Sequence, residues 1–115
     1  MNVTLRLRET TQIVDVAGDV DLNESPVLRK VLFLALKEVP MVALNLSAVR
    51  YIDSSGIAVM LEALRESKRL NRQFVLFGMS PAVHDVFKLT HVIRIFQVAD
   101  TEEQALGSGN VATGN

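Results

Sequence analysis

The sequence predicts an α/β fold in which helices pack against a mixed, largely parallel sheet. Along the chain, the apolar spacing switches repeatedly between a period of two and steps of three and four, in the order β-β-α-β-α-β-α-β-α. Strands that alternate with helices after an initial hairpin favour parallel pairing, with the helices packed on the sheet. A length of 115 residues, 49% of them hydrophobic, is enough for one core and leaves little room for a second domain.

The first two strands are expected to form a hairpin. Val3, Leu5 and Leu7 alternate with polar residues, which is typical of a strand with one buried face. A polar break over residues 10–12 follows, and a second apolar run extends from Ile13 to Gly18. We therefore expect the apolar side of the first strand to be covered by the rest of the fold.

A first helix is predicted from Ser25 to about Glu38. The Ser25 hydroxyl suits a helix cap, Pro26 suits the first helical position, and Pro40 ends the helix. Its apolar residues form a face wider than one core-facing stripe needs. They are Val27, Leu28, Val31, Leu32, Phe33, Leu34 and Leu36. Either a neighbouring helix covers the extra width, or this face docks a partner or a second copy of the chain.

The middle of the chain predicts a buried strand followed by an amphipathic helix. Residues 41–46 form a short apolar run, as expected of a strand buried on both faces. Residues 47–52 are interpreted as a brief connection. After the turn Asp53-Ser54-Ser55-Gly56, apolar residues recur at helical steps. The inward-facing ones are Ile57, Met60, Leu61 and Leu64.

A further strand and helix follow the same logic. The run from Phe74 to Phe77 predicts a buried strand that ends at Gly78. Ser80 and Pro81 repeat the signal of a cap followed by a first-turn proline. The residues expected to point inward from this helix are Val83, Val86, Phe87 and Leu89.

The end of the chain carries weaker signals. Residues 92–98 predict a last strand, and residues 100–106 predict a terminal turn or helix capped by Thr101. From Gly107 the composition is polar and rich in glycine, so we expect residues 107–115 to form a flexible tail.

Composition excludes several classes of function. A formal net charge of -1 offers no global field for nucleic acid or anionic lipid. The absence of cysteine excludes disulfides, thiolate metal sites and a cysteine nucleophile, and it suits the cytoplasm. No apolar stretch approaches the roughly 20 residues of a membrane span, so we expect no direct membrane insertion.

The turn Asp53-Ser54-Ser55-Gly56 is the main candidate site. It begins a helix, where unpaired N–H groups and the positive dipole end stabilise a carboxylate, a hydroxyl or a phosphate. Gly56 allows another backbone or a ligand to approach closely. The same four residues also describe an ordinary capped helix start, and the sequence pattern alone is compatible with both interpretations.

The remaining polar groups do not predict catalysis. Asp19 and Asp21 point to one side if their strand continues, as a metal or acid–base pair would, but no third acidic residue or histidine is spaced to complete a metal site. His84 and His91 adjoin no serine or aspartate in a catalytic pattern. We therefore expect no metal, no cofactor and no enzymatic activity.

An ordered set of motifs resembles the STAS domains of bacterial anti-sigma factor antagonists. The segments are Gly18-Asp19-Val20-Asp21, Leu44-Asn45-Leu46, Tyr51-Ile52-Asp53-Ser54-Ser55-Gly56-Ile57 and Phe77-Gly78-Met79-Ser80-Pro81-Ala82-Val83. The resemblance covers residues 1–106 as one STAS domain. It implies a mixed sheet of four to five strands with about four helices packed against it, on one side.

This resemblance also implies a function. Such antagonists bind an anti-sigma factor that is a serine kinase, and the kinase phosphorylates the serine after the aspartate, here Ser54, with Ser55 as the lesser candidate. A phosphatase reverses the modification. The residues that the resemblance assigns to partner binding are Asp19, Asp21, Asp53, Ser54, Ser55, Gly56 and Ile57.

One departure from the family pattern supports an alternative. Antagonists typically read Gly-Leu-Gly after the serines, whereas this chain reads Gly56-Ile57-Ala58. With alanine at position 58, the chain is similar to the STAS subunits of bacterial lipid-transport ABC systems. Those subunits dock on the ATPase subunit of the transporter. Weak nucleotide binding and a homodimer are further possibilities that the family leaves open.

Overall fold

The computed structural model describes the backbone of residues 1–113 and the side chains of residues 1–108. Within that part, five strands form one sheet in the order β1-β2-β3-β4-β5, with β1 antiparallel to β2 and the other neighbours parallel. The elements are β1 (Asn2–Arg8), β2 (Thr11–Val20), α1 (Ser25–Glu38), β3 (Met41–Ile52), α2 (Ser54–Arg69), β4 (Gln73–Phe77), α3 (Pro81–Leu89), β5 (Gln97–Ala99) and α4 (Glu102–Thr113). The predicted α/β class, the mixed sheet and the four helices are confirmed.

Helices cover both faces of this sheet. On one face, Val42 and Leu44 of β3 join the main core beneath α1, α2 and α3. On the other face, Ala43 and Val75 pack against Ala105 of α4. The expectation that all helices lie on one side is therefore wrong for α4. Because both faces of β3 and β4 are covered, these strands are nearly continuous apolar runs.

The edge strand β1 is less buried than its pattern predicts. The hairpin with β2 is present, but β2 begins at Thr11 and extends to Val20, beyond the predicted end at Gly18. Leu5 and Leu7 are 54% and 63% exposed, so the predicted burial of this face is wrong for both. Helix α1 lies over β2 and β3, so on the outer strand Val3 still packs against the core while Leu5 and Leu7 are left exposed.

Helix α1 spans the predicted range but starts differently. Glu24 occupies the cap position without a side-chain cap, whereas the buried Ser25 donates its hydroxyl to the Leu22 carbonyl at 3.4 Å. The predicted capping role of Ser25 is therefore wrong. Of the wide apolar face, one side is buried in the core, whereas Val27 and Leu34 are each 52% exposed.

Strand β3 continues through the segment predicted to be a connection. Residues 47–52 remain in the sheet because β2 also continues, so that Val20 pairs with Ile52. Two register shifts in this pairing, beside Asp15–Ala17 and beside Gly18–Asp19 of β2, each place one extra residue in β3. The extended β2–β3 ladder carries the chain directly to Asp53.

The C-terminal third agrees with the sequence in part. Ser80 caps α3 by accepting from the Val83 N–H at 3.2 Å, as predicted, but Leu89 at the end of α3 is 79% exposed instead of inward. The last strand spans only Gln97–Ala99 instead of the predicted residues 92–98, because a turn of 3₁₀-helix precedes it.

Helix α4 continues past Gly107, where the sequence predicts a tail to begin. Thr101 caps it as predicted, since its hydroxyl accepts from the Gln104 N–H at 3.2 Å. The flexibility of residues 107–115 stays a prediction, and residues 114 and 115 lie outside the described part. None of the helices described up to Thr113 combines the length and apolar composition that a membrane span requires.

Candidate functional site

The turn at Asp53 lies where two neighbouring parallel strands end. Val20 at the end of β2 pairs with Ile52 at the end of β3, and the Asp53 N–H donates to the Val20 carbonyl at 3.3 Å. Helix α2 begins at the next residue. The carboxyl ends of parallel strands and a helix N-terminus thus meet at one edge of the sheet, which is where α/β folds place their binding sites.

Asp53 is the cap of α2. Its carboxylate accepts from the Ser55 N–H at 2.9 Å, from the Gly56 N–H at 3.3 Å and from the Ser55 hydroxyl. The Ser55 hydroxyl bond lowers the pKa of Asp53 most, the backbone N–H groups of Gly56 and Ser55 lower it further, and partial burial opposes them. Asp53 is therefore ionised at neutral pH.

The two serines of the turn differ in their surroundings. Ser55 is half-buried, and its hydroxyl is bound to the Asp53 carboxylate. Ser54, the first residue of α2, is exposed, and within the part of the chain that the structure describes its hydroxyl has no hydrogen-bond partner. Of the two serines in this turn, Ser54 is therefore the one that presents a free hydroxyl to solvent.

Gly56 and Ile57 pack against the protein core on the buried side of the turn. A Cβ atom on Gly56 would lie 2.8 Å from Cγ1 of Ile52, 2.9 Å from Cγ1 of Val20 and 3.0 Å from the Val20 carbonyl oxygen. The close approach expected at Gly56 is thus made by the chain itself, not by a ligand. Ile57 is 4% exposed and belongs to the core. Both residues position the turn and offer a partner little surface.

Asp19 and Asp21 lie at the same edge of the sheet, but their carboxylates contact different partners. Asp19, opposite Tyr51 in the ladder, is 3.5 Å from a guanidinium nitrogen of Arg50. Asp21 accepts from the N–H groups of Asn23 and Glu24, both at 3.1 Å. Among the described residues, no three His, Asp or Glu side chains are grouped to hold a metal ion. The two aspartates add negative charge beside the turn.

Two exposed apolar side chains next to the turn were not predicted from the sequence. Leu22, just after β2, is 71% exposed, and Tyr51, near the end of β3, is 53% exposed. Tyr51 is the only tyrosine in the sequence. The alternation of Tyr51 with the buried Ile52 is the pattern of a strand with one exposed face, but it was not recognised because residues 47–52 were interpreted as a connection.

A small groove of about 110 Å³ opens beside Tyr51. The end of β3 and the first turns of α3 line it, through Arg50, Tyr51, Ile52, Ala82, Val83 and Val86. Together with Leu22 and Ser54, the groove gives this edge of the molecule both apolar and polar contact groups. Such a mixture is typical of a protein-binding surface.

Known sequences resemble this chain over most of its length. A family model described as the STAS domain matches residues 2–105. A protein of Listeria monocytogenes named anti-sigma-B factor antagonist is 28% identical over 112 residues, which cover 94% of this chain and 98% of that protein.

Solved structures share the fold. A protein from Thermotoga maritima described as an anti-sigma factor antagonist has a TM-score of 0.86 at 23% identity, over 92% of both chains. The Bacillus cell fate determinant SpoIIAA in its phosphorylated form has a TM-score of 0.71 at 23% identity, over 93% of this chain and 98% of that one.

Proposed function

This chain belongs to the STAS domain family, and we propose that it is an anti-sigma factor antagonist that is switched off by phosphorylation of Ser54. In this proposal the chain binds an anti-sigma factor that is also a serine kinase, through the surface around the Asp53 turn. The Listeria relative is named anti-sigma-B factor antagonist, and this chain matches it over nearly its whole length. This similarity supports the general function. The proposed action is binding, not catalysis, and takes place in the cytoplasm.

The observation that carries the proposal is the free hydroxyl of Ser54. Phosphoryl transfer needs a nucleophilic oxygen that can enter the kinase site and lie in line with the donor phosphate. Ser54 is exposed and unbound within the described residues, whereas the hydroxyl of Ser55 is tied to Asp53. Ser54 is therefore the better acceptor, and a phosphatase can reach the same exposed position.

A phosphate on Ser54 meets a negative environment. It adds about 1.5 to 2 negative charges at neutral pH. The nearest helix N–H groups, those of Ser55 and Gly56, already donate to Asp53, so they are not free to bind the phosphate. Asp19 lies near the end of β2, and Asp21 directly follows that strand. The phosphate is therefore directed outward, toward whatever binds this edge.

The expected consequence for binding is large while the fold is unchanged. A partner surface that accommodates a neutral hydroxyl would have to desolvate a dianion, and the cost of a few kcal/mol corresponds to a loss of about a hundredfold or more in affinity. The modified residue itself is exposed, so the core beneath it is not disturbed. That SpoIIAA shares this fold in its phosphorylated form supports this part of the proposal.

Capture of partners from the source cell tests the proposal. Tagged wild-type chain and the Ser54→Asp variant are used as bait, with Ser55→Ala as a matched control at the neighbouring serine, and bound proteins are identified by mass spectrometry. We expect an ATP-binding anti-sigma factor to be captured by wild type and by Ser55→Ala, and to be lost with Ser54→Asp.

Two other outcomes would change the assignment. Capture of an ABC ATPase with its membrane permease, unaffected by the charge at residue 54, would make the chain a transporter subunit instead. Capture of the anti-sigma factor by wild type and Ser54→Asp alike would retain the partner but remove the switch.

A further inference from the structure

Three basic side chains line one cavity where α3 ends and the 3₁₀ turn Ile93–Ile95 begins. The cavity has a volume of about 360 Å³, and the described residues that line it are Lys88, His91, Ile93 and Arg94. The three basic residues are exposed, whereas Ile93 packs against the main core. None of the four is acidic, so the cavity combines basic groups with one apolar contact.

The backbone turns into this cavity through a Schellman motif at the end of α3. The Val92 N–H donates to the Phe87 carbonyl at 3.2 Å, and the His91 N–H donates to the Lys88 carbonyl at 3.0 Å. His91 therefore adopts a left-handed conformation, with φ at 61°. Glycine is the usual residue at this position because it has no Cβ to strain. A histidine here is less favourable for the backbone and places an imidazole at the cavity instead.

The two permanent cations of the cavity have no anionic partner within the described residues. Neither Lys88 nor Arg94 forms a salt bridge there, and Asp85, one turn earlier on α3, pairs with neither. Elsewhere on the surface, arginines are paired with carboxylates. These are Arg6, Arg8, Arg29, Arg50 and Arg69. The described part of the chain therefore does not neutralise the positive charge at this cavity.

A second cavity, of about 220 Å³, borders the same 3₁₀ turn and extends the positive surface. It is lined by Leu61, Leu64, Arg65, Lys68 and Ile95. Its two cations come from α2, and no acidic residue is among the five. The whole chain has a formal net charge of -1, so four lysine and arginine side chains around one turn are a local excess. Such a field attracts anions to this end of the molecule.

We propose that the cavity at the end of α3 binds a phosphomonoester group through Lys88, His91 and Arg94. Arginine presents N–H donors in a planar fork that fits phosphate oxygens, and lysine and histidine supply further donors. Three donor side chains around one cavity suit the three terminal oxygens of a phosphomonoester better than the two oxygens of a carboxylate. A soluble phosphomonoester and the headgroup of phosphatidic acid present these same oxygens.

Titration with inorganic phosphate, followed by NMR of the backbone amides of the full chain, tests the proposal. We expect saturable shifts at residues 88–94 with a dissociation constant of about 1 mM or lower, and none with chloride at equal ionic strength. Lys88→Ala and Arg94→Ala should each weaken binding by about tenfold, because each removes a charge-assisted hydrogen bond. Lys30→Ala, which removes an exposed cation from α1, is the matched control and should bind like wild type.

His91→Gly separates ligand binding from stability. The variant should melt at the wild-type temperature or higher, because glycine suits the left-handed position that His91 occupies. It should also bind phosphate several times more weakly, because the imidazole is lost. A purely structural role would affect melting and leave affinity unchanged, so wild-type affinity in His91→Gly would contradict its place in the site.

Vesicles distinguish the two sources of the phosphate group. Sedimentation with vesicles of phosphatidic acid in phosphatidylcholine, but not with phosphatidylcholine alone, would assign the lipid headgroup. Phosphate binding without vesicle binding would assign a soluble ligand. No saturable shift with phosphate, or binding that Lys88→Ala and Arg94→Ala leave unchanged, would overturn the proposal. The cavity lies at the end of α3, whereas the first turns of α3 border Tyr51, so the proposal does not depend on the function proposed for Ser54.

Discussion

The Asp53 carboxylate binds both the backbone N–H of Ser55, at 2.9 Å, and the Ser55 hydroxyl. This pair closes the first turn of α2 and leaves Ser54 as the serine with a free hydroxyl. The relationship separates two roles that adjacent serines share in the sequence. One serine stabilises the turn, and the other is available for modification.

Replacing Asp53 by alanine should destabilise the fold. The variant leaves the N–H groups of Ser55 and Gly56 without their acceptor, and loss of a helix cap costs about 1 kcal/mol. Urea unfolding of Asp53→Ala measures the change in the free energy of unfolding. Asp85→Ala, at an exposed aspartate on α3, is the control and should have little effect. An Asp53→Ala midpoint equal to that of wild type would show that the cap contributes nothing.

Gly56→Ala should also destabilise the fold, for a different reason. The added Cβ would lie within 3.0 Å of the Val20 carbonyl and even closer to the Ile52 and Val20 side chains, and such overpacking costs about 1 to 3 kcal/mol. Gly107→Ala is the matched control, because its Cβ would meet nothing within 4 Å in α4. Thermal melting should show a lower midpoint for Gly56→Ala and an equal or higher one for Gly107→Ala. Equal midpoints for Gly56→Ala and wild type would contradict the close packing described at this turn.

Glu102 should make stability depend on acid pH. Hydrogen bonds from Arg6 and then Arg8 lower the pKa of Glu102 below its ordinary value of 4.5. A carboxylate with a lowered pKa stabilises the fold above its ordinary pKa, and this contribution is lost as the pH falls through the lower, folded value. The free energy of unfolding should therefore decline below about pH 4.5, and less steeply in Glu102→Gln.

The control for Glu102 is its neighbour in α4. Glu103 also contacts Arg8, but its side chain is 76% exposed, compared with 23% for Glu102. Glu103→Gln should retain most of the wild-type pH dependence, because exposed ion pairs contribute little. If Glu102→Gln and wild type had the same pH profile, the link between α4 and β1 would not be electrostatic.

Tyr51→Ala should weaken partner binding and leave stability nearly unchanged. Tyr51 is 53% exposed beside the groove at the end of β3, and exposed aromatic residues often dominate the energy of an interface. We expect a loss of about tenfold or more in affinity for the captured partner, measured by calorimetry. Leu89→Ala, remote on α3, is the control. Unchanged affinity for Tyr51→Ala would place the interface elsewhere on the molecule.

Local signals predicted the helices and strands better than they predicted burial. The caps at Ser80 and Thr101 could be predicted because capping depends on a residue three positions away, although the cap predicted at Ser25 does not form. The exposure of Leu5 and Leu7 could not, because it depends on which strand lies at the edge of the sheet. Alternation shows that a strand has an apolar face, and tertiary structure decides what covers it.

Long-range pairing explains the other differences. The sequence pattern suggests a connection at residues 47–52, yet they remain in β3, which carries two bulges, because β2 continues beside them. This extension brings Tyr51 to the edge of the site, a position that the sequence pattern alone does not predict. The position of α4 on the second face likewise depends on contacts of Ala105 and Glu102 with strands far away in sequence.

The affinity of the captured anti-sigma factor for the Ser54→Asp variant, relative to wild type, tests the central claim most directly. Calorimetry should show a loss of about a hundredfold or more, while Ser54→Ala binds like wild type and all three proteins melt normally. A folded Ser54→Asp variant that binds the partner as tightly as wild type would contradict the claim that charge at Ser54 controls this interface.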